Sequence, residues 1–273
     1  MNDPHRIALT AIIPCYNAGD RLRPVVEQVL TIAERVIVVD DGSTDDTEKR
    51  LSQYDNLTVI SQPNQGVSAA RNRGIKSSNG NLIAFLDSDD TWLPEKLSVQ
   101  VEYFMRHAEV EICQTQEIWI RDGKRVNPGH RHRKTSGLFF ERSLALCLVS
   151  PSAVMIRKRL LDKVGFFDET LLACEDYDLW LRINATIPIF LIDEPLVIRK
   201  GGHADQLSSN PGLDKYRIQS IKNLLESGSL SLDQQRSALA MLQKKCQIYA
   251  AGCKKRGRLE EMAYYHRLAL TGS

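Results

Sequence analysis

The chain has 273 residues, 42% of them apolar and 26% charged. That is the composition of a soluble globular protein able to bury one sizeable core with an appendage, or two unequal domains. A formal net charge of +2 argues against general nucleic-acid binding, and six cysteines without C-x-x-C spacing argue against a zinc site or a disulfide framework. No apolar h-region follows the N-terminal M-N-D-P-H-R, and no apolar run reaches the roughly 18–20 residues that cross a bilayer. The expectation is a cytoplasmic protein, with peripheral contact at the inner face of the membrane left open.

In chain order, Ile7–Ile13 is an apolar run stopped by Pro14, and Leu22, Val25, Val26, Val29 and Leu30 recur at helical spacing. Val36–Val39 is continuously apolar, as a strand covered on both faces should be. Leu57–Ile60 reads as a short strand, Val67–Lys76 as a helix started at Gly66, and Ile83–Leu86 as the next strand. Strands alternating with helices predict an α/β fold with a mostly parallel central sheet flanked by helices. Such sheets bind ligands beyond the C-terminal ends of their strands.

From about Glu111 the pattern changes. Ile112–Ile120, the Asp122-Gly123 turn and Ala153–Ile156 predict strands that are partly antiparallel. A helix over Asp176–Ile183 precedes strand-like Ile187–Ile192 and Leu196–Ile198. After Gly201-Gly202, the segments Tyr216–Leu225, Gln234–Lys255 and Leu259–Leu270 carry apolar residues every three or four positions. The expected organisation is a first domain over residues 1–205 and a helical C-terminal extension over 206–273.

The chemistry-bearing residues sit where strands end. Phe85-Leu-Asp-Ser-Asp-Asp90 places Asp87, Ser88 and Asp89 in a turn directly after an apolar strand. Alternate carboxylates there form a hard oxygen site for Mg²⁺ or Mn²⁺ bridging the phosphates of a nucleotide diphosphate; the plain alternative is a solvated turn that caps a helix. Asp40-Asp41-Gly-Ser-Thr-Asp caps the next helix and offers Asp41 to a base or ribose. In Asn64-Gln-Gly-Val-Ser-Ala-Ala-Arg71-Asn72, the alanines read as packing, and Arg71 and Asn72 as ligand contacts or as groups that orient the acidic loops. Glu175, Asp176 and Asp178 are more carboxylates than the first turn of a helix needs, and one of them could serve as general base. Lys200-Gly-Gly-His203 could present an imidazole to a metal or diphosphate, although a lone histidine is more often structural. Arg121 to Lys134 holds six Lys/Arg and two His, ordinarily a solvated loop and more sharply a lid over an anionic acceptor or a contact for acidic lipid.

Five segments taken together, I-I-P-C-Y-N-A-G from Ile12, V-V-D-D-G-S-T-D from Val38, N-Q-G-V-S-A-A-R-N from Asn64, F-L-D-S-D-D from Phe85 and E-D-Y-D-L-W-L-R from Glu175, resemble glycosyltransferase family 2 in order and spacing over roughly residues 7–205. The resemblance implies a GT-A fold, Rossmann-like, and inverting transfer of a sugar from a nucleotide-diphospho-sugar, a UDP-sugar most often, to an acceptor hydroxyl. It implies Pro14, Tyr16 and Asn17 beside the nucleotide and Asp41 at the base, with Arg71 and Ser88 completing the nucleotide-binding set. Asp87 and Asp89 correspond to the D-x-D metal site, Asp176 to the catalytic base with Glu175 and Trp180 nearby, and His203 to a metal- or diphosphate-contacting histidine followed by a serine, Ser208. The implied acceptor is a saccharide, a lipid-linked saccharide or a protein, in polysaccharide or glycoconjugate biosynthesis, and homo-oligomers are compatible with the helical extension.

Rival readings lack their own marks. A sugar nucleotidyltransferase wants a glycine-rich basic loop near the N-terminus, and a Rossmann dehydrogenase a G-x-G-x-x-G after the first strand; Pro14-Cys-Tyr-Asn-Ala-Gly-Asp20 supplies neither. A non-catalytic descendant that binds a nucleotide sugar or a partner would be expected to have lost Asp89 or Asp176, and both are present.

Overall fold

The computed structural model describes residues 8–202 and 212–272. Its first half alternates strand and helix: β1 (Leu9–Cys15), α1 (Leu22–Ile32), β2 (Val36–Asp40), α2 (Thr47–Leu51), β3 (Thr58–Ser61), α3 (Val67–Ser77) and β4 (Leu82–Phe85). The two-residue β5 (Thr91–Trp92), α4 (Lys96–Arg106), β6 (Ile112–Arg121), β7 (Lys124–Val126), α5 (Phe140–Ala145), β8 (Val154–Arg157), α6 (Lys158–Val164), α7 (Glu175–Asn184) and β9 (Phe190–Gly201) follow. The described strands form one sheet in the order β3-β2-β1-β4-β8-β6-β9-β5, with β7 hairpinned onto β6. The four strands of the first half pair in parallel, as do β6 and β9. Strand β8 is antiparallel to both β4 and β6, and β5 is antiparallel to β9. The parallel half therefore ends at β4, where residues after 111 begin to add strands in the opposite sense.

Two prolines sit inside strands that the sequence pattern breaks. Strand β1 does not stop at Pro14 but pairs through it to Cys15. Pairing with β4 ends at Ile12↔Phe85, and the Ile12 carbonyl accepts from Leu86 on that side. Two residues on, Pro14 points its ring nitrogen the same way, where β4 has already turned into the acidic loop, so the missing N–H breaks no ladder bond. Similarly, Ile187–Ile192 and Leu196–Ile198 join in the single strand β9, whose register slips between Thr115 and Glu117 opposite Pro195. An irregularity is where a strand tolerates proline.

The sheet separates two apolar layers, and neighbouring residues feed opposite ones. Ile13 packs with Val26, Val29, Trp92, Phe104 and Met155 on one side. Ile12 packs with Ile75, Phe85, Leu161, Leu179 and Trp180 on the other. A third cluster lies beyond the sheet, where α8 (Asp214–Glu226), α9 (Leu232–Lys255) and α10 (Leu259–Thr271) pack on Phe140 and Leu144 of α5 and on Tyr177 and Leu181 of α7. Helix α9 starts at a capping box: Gln234 N donates to Ser231 Oγ at 3.3 Å, and Ser231 N donates to Gln234 Oε1 at 3.0 Å. No described helix is long and apolar enough to cross a membrane.

Candidate active site

The loops after β1 and β2 are tied to each other before they face any ligand. Asp40 Oδ1 accepts from Ser43 N at 3.0 Å and from Ser43 Oγ at 2.5 Å; Ser43 Oγ in turn accepts from Asn17 N at 2.9 Å. Asn17 Oδ1 accepts from Thr44 N at 2.8 Å, which holds Asn17 in the left-handed region at φ 46°. The buried Asp41 carboxylate clamps the next loop, accepting from Gln62 Nε2 at 2.7 Å, Gln65 N at 2.9 Å and Gly66 N at 2.7 Å. Between them Gly42 adopts φ +76°, and a Cβ there would come within 2.6 Å of Asn64 N. Only glycine lets the two loops lie this close.

The loop after β4 is pinned from three sides. Asp87 N donates to Ser152 Oγ at 3.1 Å, Asp87 Oδ1 accepts from Arg71 Nη2 at 2.6 Å, and Asp90 Oδ1 accepts from Lys200 N at 3.0 Å. Burial, with Asp87 and Asp89 close by, pushes the Asp90 carboxyl well above the usual carboxylate range. Trp92 Nε1 donates to Ser152 O at 2.7 Å, so the same residue anchors both the loop and the strand after it.

Opposite stands the first turn of α7. It begins at Cys174, a non-glycine residue at φ 61°, which swings the chain so that three carboxylates enter the helix together. Glu175 accepts from Arg71 Nη1 at 2.6 Å, yet burial outweighs that attraction and raises its pKa. Asp176 Oδ2 lies 3.5 Å from Cys147 Sγ, whose one S–H has the Val149 carbonyl closer at 3.1 Å; burial and the Asp176 charge push that thiol well up. Asp178 turns away to accept from Arg182 Nε at 2.8 Å, and Asn72 is bound to Phe167 and Glu169. Both therefore serve the scaffold and not the cavity, an outcome the carboxylate count and the loop setting could not distinguish.

These walls enclose a cavity of about 860 Å³. Of the residues singled out in the sequence, Pro14, Tyr16, Asp41, Arg71, Asp87, Ser88, Asp89, Glu175 and Asp176 line it. Asn17 stands behind that wall in its loop ties, and Arg71 is a buried cross-brace whose two ends are engaged by Asp87 and Glu175. His203 and Ser208 lie outside the described residues. The far wall holds Lys134 from the basic run together with residues that the motifs did not flag, Glu117 and Trp119 on β6 and Arg199 on β9. The Glu117 side chain is 2% exposed and lies 3.2 Å from Lys134 Nζ. Burial opposes its charge, but the fields of Lys134 and Arg199 prevail and hold its pKa at about 2. The available signal was a charge within each apolar run, Glu117 before Ile118-Trp119-Ile120 and Arg199 after Val197-Ile198.

Among the described residues, no group of three or more His, Cys, Asp or Glu comes together as a metal cage. The donor set still fits a hard cation. Asp87 and Asp89 offer carboxylate oxygens to the cavity, and Mg²⁺ is usually held by one or two carboxylates plus water and substrate phosphates.

Comparison with known proteins agrees with this architecture. Residues 10–165 match the family model described as Glycosyl transferase family 2. The uncharacterized glycosyltransferase RP339 of Rickettsia prowazekii is 29% identical over 210 residues, covering 74% of this chain and 66% of RP339, so the chain spans about two thirds of that relative. The putative teichuronic acid biosynthesis glycosyltransferase TuaG of Bacillus subtilis is 37% identical over 108 residues, 37% of this chain and 43% of TuaG. The structure of S. aureus TarS 1–349 in complex with UDP-GlcNAc superposes with a TM-score of 0.68 at 19% identity, covering 98% of this chain and 93% of that one. The sheet order and surrounding helices are those of a GT-A fold, and the chain belongs to glycosyl transferase family 2.

Proposed function

We propose that the protein is an inverting glycosyltransferase that moves a sugar from a nucleotide-diphospho-sugar to an acceptor hydroxyl. The observation that carries this reading is Arg71, which braces Asp87 and Glu175 at 2.6 Å each. It holds the D-x-D loop and the first turn of α7 as facing walls of one cavity. Tyr16 and Asp41 line the end of that cavity formed by the loops after β1 and β2. Asp41 engages three donors there and keeps an acceptor lone pair for a base N–H. A UDP-sugar is the favoured donor, since the similar TarS was solved with UDP-GlcNAc. The relationship to TuaG supports a role in polysaccharide or glycoconjugate assembly.

Asp89, with Asp87, would hold a divalent ion, Mg²⁺ or Mn²⁺, which supplies Lewis-acid stabilisation of the departing diphosphate. Asp176 is the general base. Its carboxylate faces the cavity beside Glu175, takes the acceptor proton, and leaves the acceptor oxygen to attack the anomeric carbon from the side opposite the diphosphate. Tyr177 N donates to Asp176 Oδ1 at 2.7 Å and holds the carboxylate at the start of the helix. No covalent enzyme intermediate is needed, and the raised pKa of Cys147 and Cys174 makes neither thiol a ready nucleophile.

The test is a donor panel of UDP-, GDP- and dTDP-sugars with Mg²⁺ or Mn²⁺, reading release of nucleoside diphosphate, with Asp89→Ala and Asp176→Asn in parallel. Metal-dependent turnover of one donor, lost in Asp89→Ala, establishes the transferase reading. Failure of every donor to bind in the presence of metal overturns it and leaves a binding module.

A further inference from the structure

The site gathers Asp87, Asp89, Asp90, Glu175 and Asp176, and an anionic diphosphate has to enter among them. A bound divalent ion offsets part of that charge. The obvious protein cation, Arg71, is already matched by two carboxylates and is 4% exposed. Arg217 is paired with Asp214 at 3.3 Å, and Arg121 stands exposed at the end of β6.

Arg199 differs from all of these. It lines the cavity from β9, partly buried, with its guanidinium carbon 5.4 Å from the centroid of the Trp119 ring, its neighbour in the β6–β9 register. Trp119 is itself fixed, because its Nε1 donates to Glu117 Oε2 at 2.9 Å. Among the described residues, Arg199 makes no side-chain hydrogen bond and no ion pair within 4.0 Å, and it lines the cavity beside the Trp119 ring. Burial works against its charge, but the fields of Glu117, Asp90 and Asp176 overcome it and raise its pKa above the ordinary arginine value. The next residue, Lys200, donates its backbone N–H to Asp90 Oδ1 at 3.0 Å, which fixes this part of β9 against the D-x-D loop.

We propose that Arg199 is a catalytic residue of the transfer, receiving the diphosphate leaving group on its guanidinium opposite the metal loop. This rests on the nucleotide-sugar reading above. In the step, the acceptor oxygen bonds to the anomeric carbon as the bond from that carbon to the β-phosphate oxygen breaks. The bonding pair leaves on the diphosphate, and the acceptor proton goes to Asp176. A planar, permanently charged fork suits two phosphate oxygens at once, and stacking on a locked indole holds it in place before the charge develops. Lysine, with one point charge, replaces only part of this.

The test titrates UDP, GDP and dTDP, and separately the matching nucleosides, into wild type, Arg199→Ala and Arg199→Lys with Mg²⁺ present, and measures kcat and acceptor KM with the active donor. Wild type is expected to bind one diphosphate more tightly than its nucleoside. Arg199→Ala should lose about 10–100-fold of that preference and about 10²–10³ in kcat, with nucleoside affinity unchanged as proof of an intact fold and Arg199→Lys intermediate. If Arg199→Ala keeps the full preference for diphosphate, or raises only the acceptor KM, Arg199 does not serve the leaving group. If it loses nucleoside affinity as well, its role is structural and the proposal fails. If wild type itself prefers no diphosphate over its nucleoside, the nucleotide-sugar reading falls, and this inference with it.

Discussion

Arg71 and Glu175, 104 residues apart in the chain, meet at 2.6 Å in a buried ion pair, and the other arm of the same guanidinium holds Asp87 at 2.6 Å. One side chain thus couples two carboxylate walls that reach the cavity from opposite halves of the fold. Removing a partner from such a pair leaves a carboxylate buried and uncompensated, at a cost of about 3–5 kcal/mol. Arg71→Ala is expected to lose stability on that scale in urea unfolding and to lose donor turnover. Arg71→Lys keeps the charge but cannot bridge both carboxylates, so its turnover should fall further than its stability does. Wild-type turnover in Arg71→Lys would show that the bridge does not position the site.

Asp41 is expected to govern nucleotide affinity and not the chemical step. Its carboxylate holds Gln62, Gln65 and Gly66 in place, and hydrogen bonds to a charged group contribute about 1.5–3 kcal/mol each. Asp41→Ala should raise the donor KM by about 10–100-fold while kcat stays within a few-fold. Asp41→Asn should fall between, because its amide would turn an N–H group toward one of the donors that the carboxylate accepts from. Steady-state kinetics at saturating acceptor separate these outcomes; a kcat loss equal to the KM effect would contradict the assignment.

The parallel half of the fold is legible in the sequence because β2 and β4 are unbroken apolar runs closed by acidic turns, and the strand-end rule then places Asp41 and Asp87 on one edge. What stays hidden depends on contacts between distant segments. Arg71 and Asn72 look alike as polar residues in a helix turn, but one faces two carboxylates and the other the Phe167 backbone. The antiparallel insertion of β8 between β4 and β6 is a pairing choice across some 70 residues, which periodicity cannot register. Pro14 reads as a stop because its environment on the β4 side, the thing that makes it harmless, is not local. Arg199 reads as the end of an apolar strand because nothing in the sequence says that its neighbour across the sheet is Trp119.

Lys96 gives the protein a specific pH dependence. It is fully buried, with Nζ 4.1 Å from the centroid of the Trp92 ring and 2.7 Å from Gln100 Oε1. Burial pulls its pKa from 10.5 down to about 7, with Lys134 adding to the fall and Cys113 opposing it. Between those two values the unfolded chain holds a proton on this lysine that the folded chain does not, so the contribution of Lys96 to stability rises with pH across this window. Below about pH 7 both states are protonated and the contribution is a constant cost. Lys96→Met should remove that contribution and be more stable than wild type near pH 7, by a difference that shrinks as pH approaches 10. Thermal unfolding of both proteins from pH 7 to 10 checks this; parallel curves would mean that Lys96 stays charged in the fold.

The helical extension is expected to be needed by the site although it carries none of its motifs. Tyr177 and Leu181 are each 1% exposed on the helix that begins with Glu175 and Asp176, and they share a core with Ile221, Leu242, Cys246 and Ala250 of α8 and α9. Tyr177 also donates its hydroxyl to Leu144 O at 2.8 Å, and Lys245 Nζ reaches Ala145 O at 3.3 Å, so α5 is held by both helices. A chain ending at residue 205 would leave the apolar side of α7 and α5 in water, an exposed patch of the kind that drives aggregation. It should be recovered poorly and turn over no donor, despite retaining Asp87, Asp89 and Asp176. The milder Leu242→Ala, a buried truncation in α9, should cost about 2–5 kcal/mol and lower the unfolding temperature while leaving donor KM unchanged in the folded fraction. If the chain ending at 205 instead folds as a monomer with the unfolding temperature and donor turnover of the full protein, α7 is held by the sheet alone and the extension serves something other than the site.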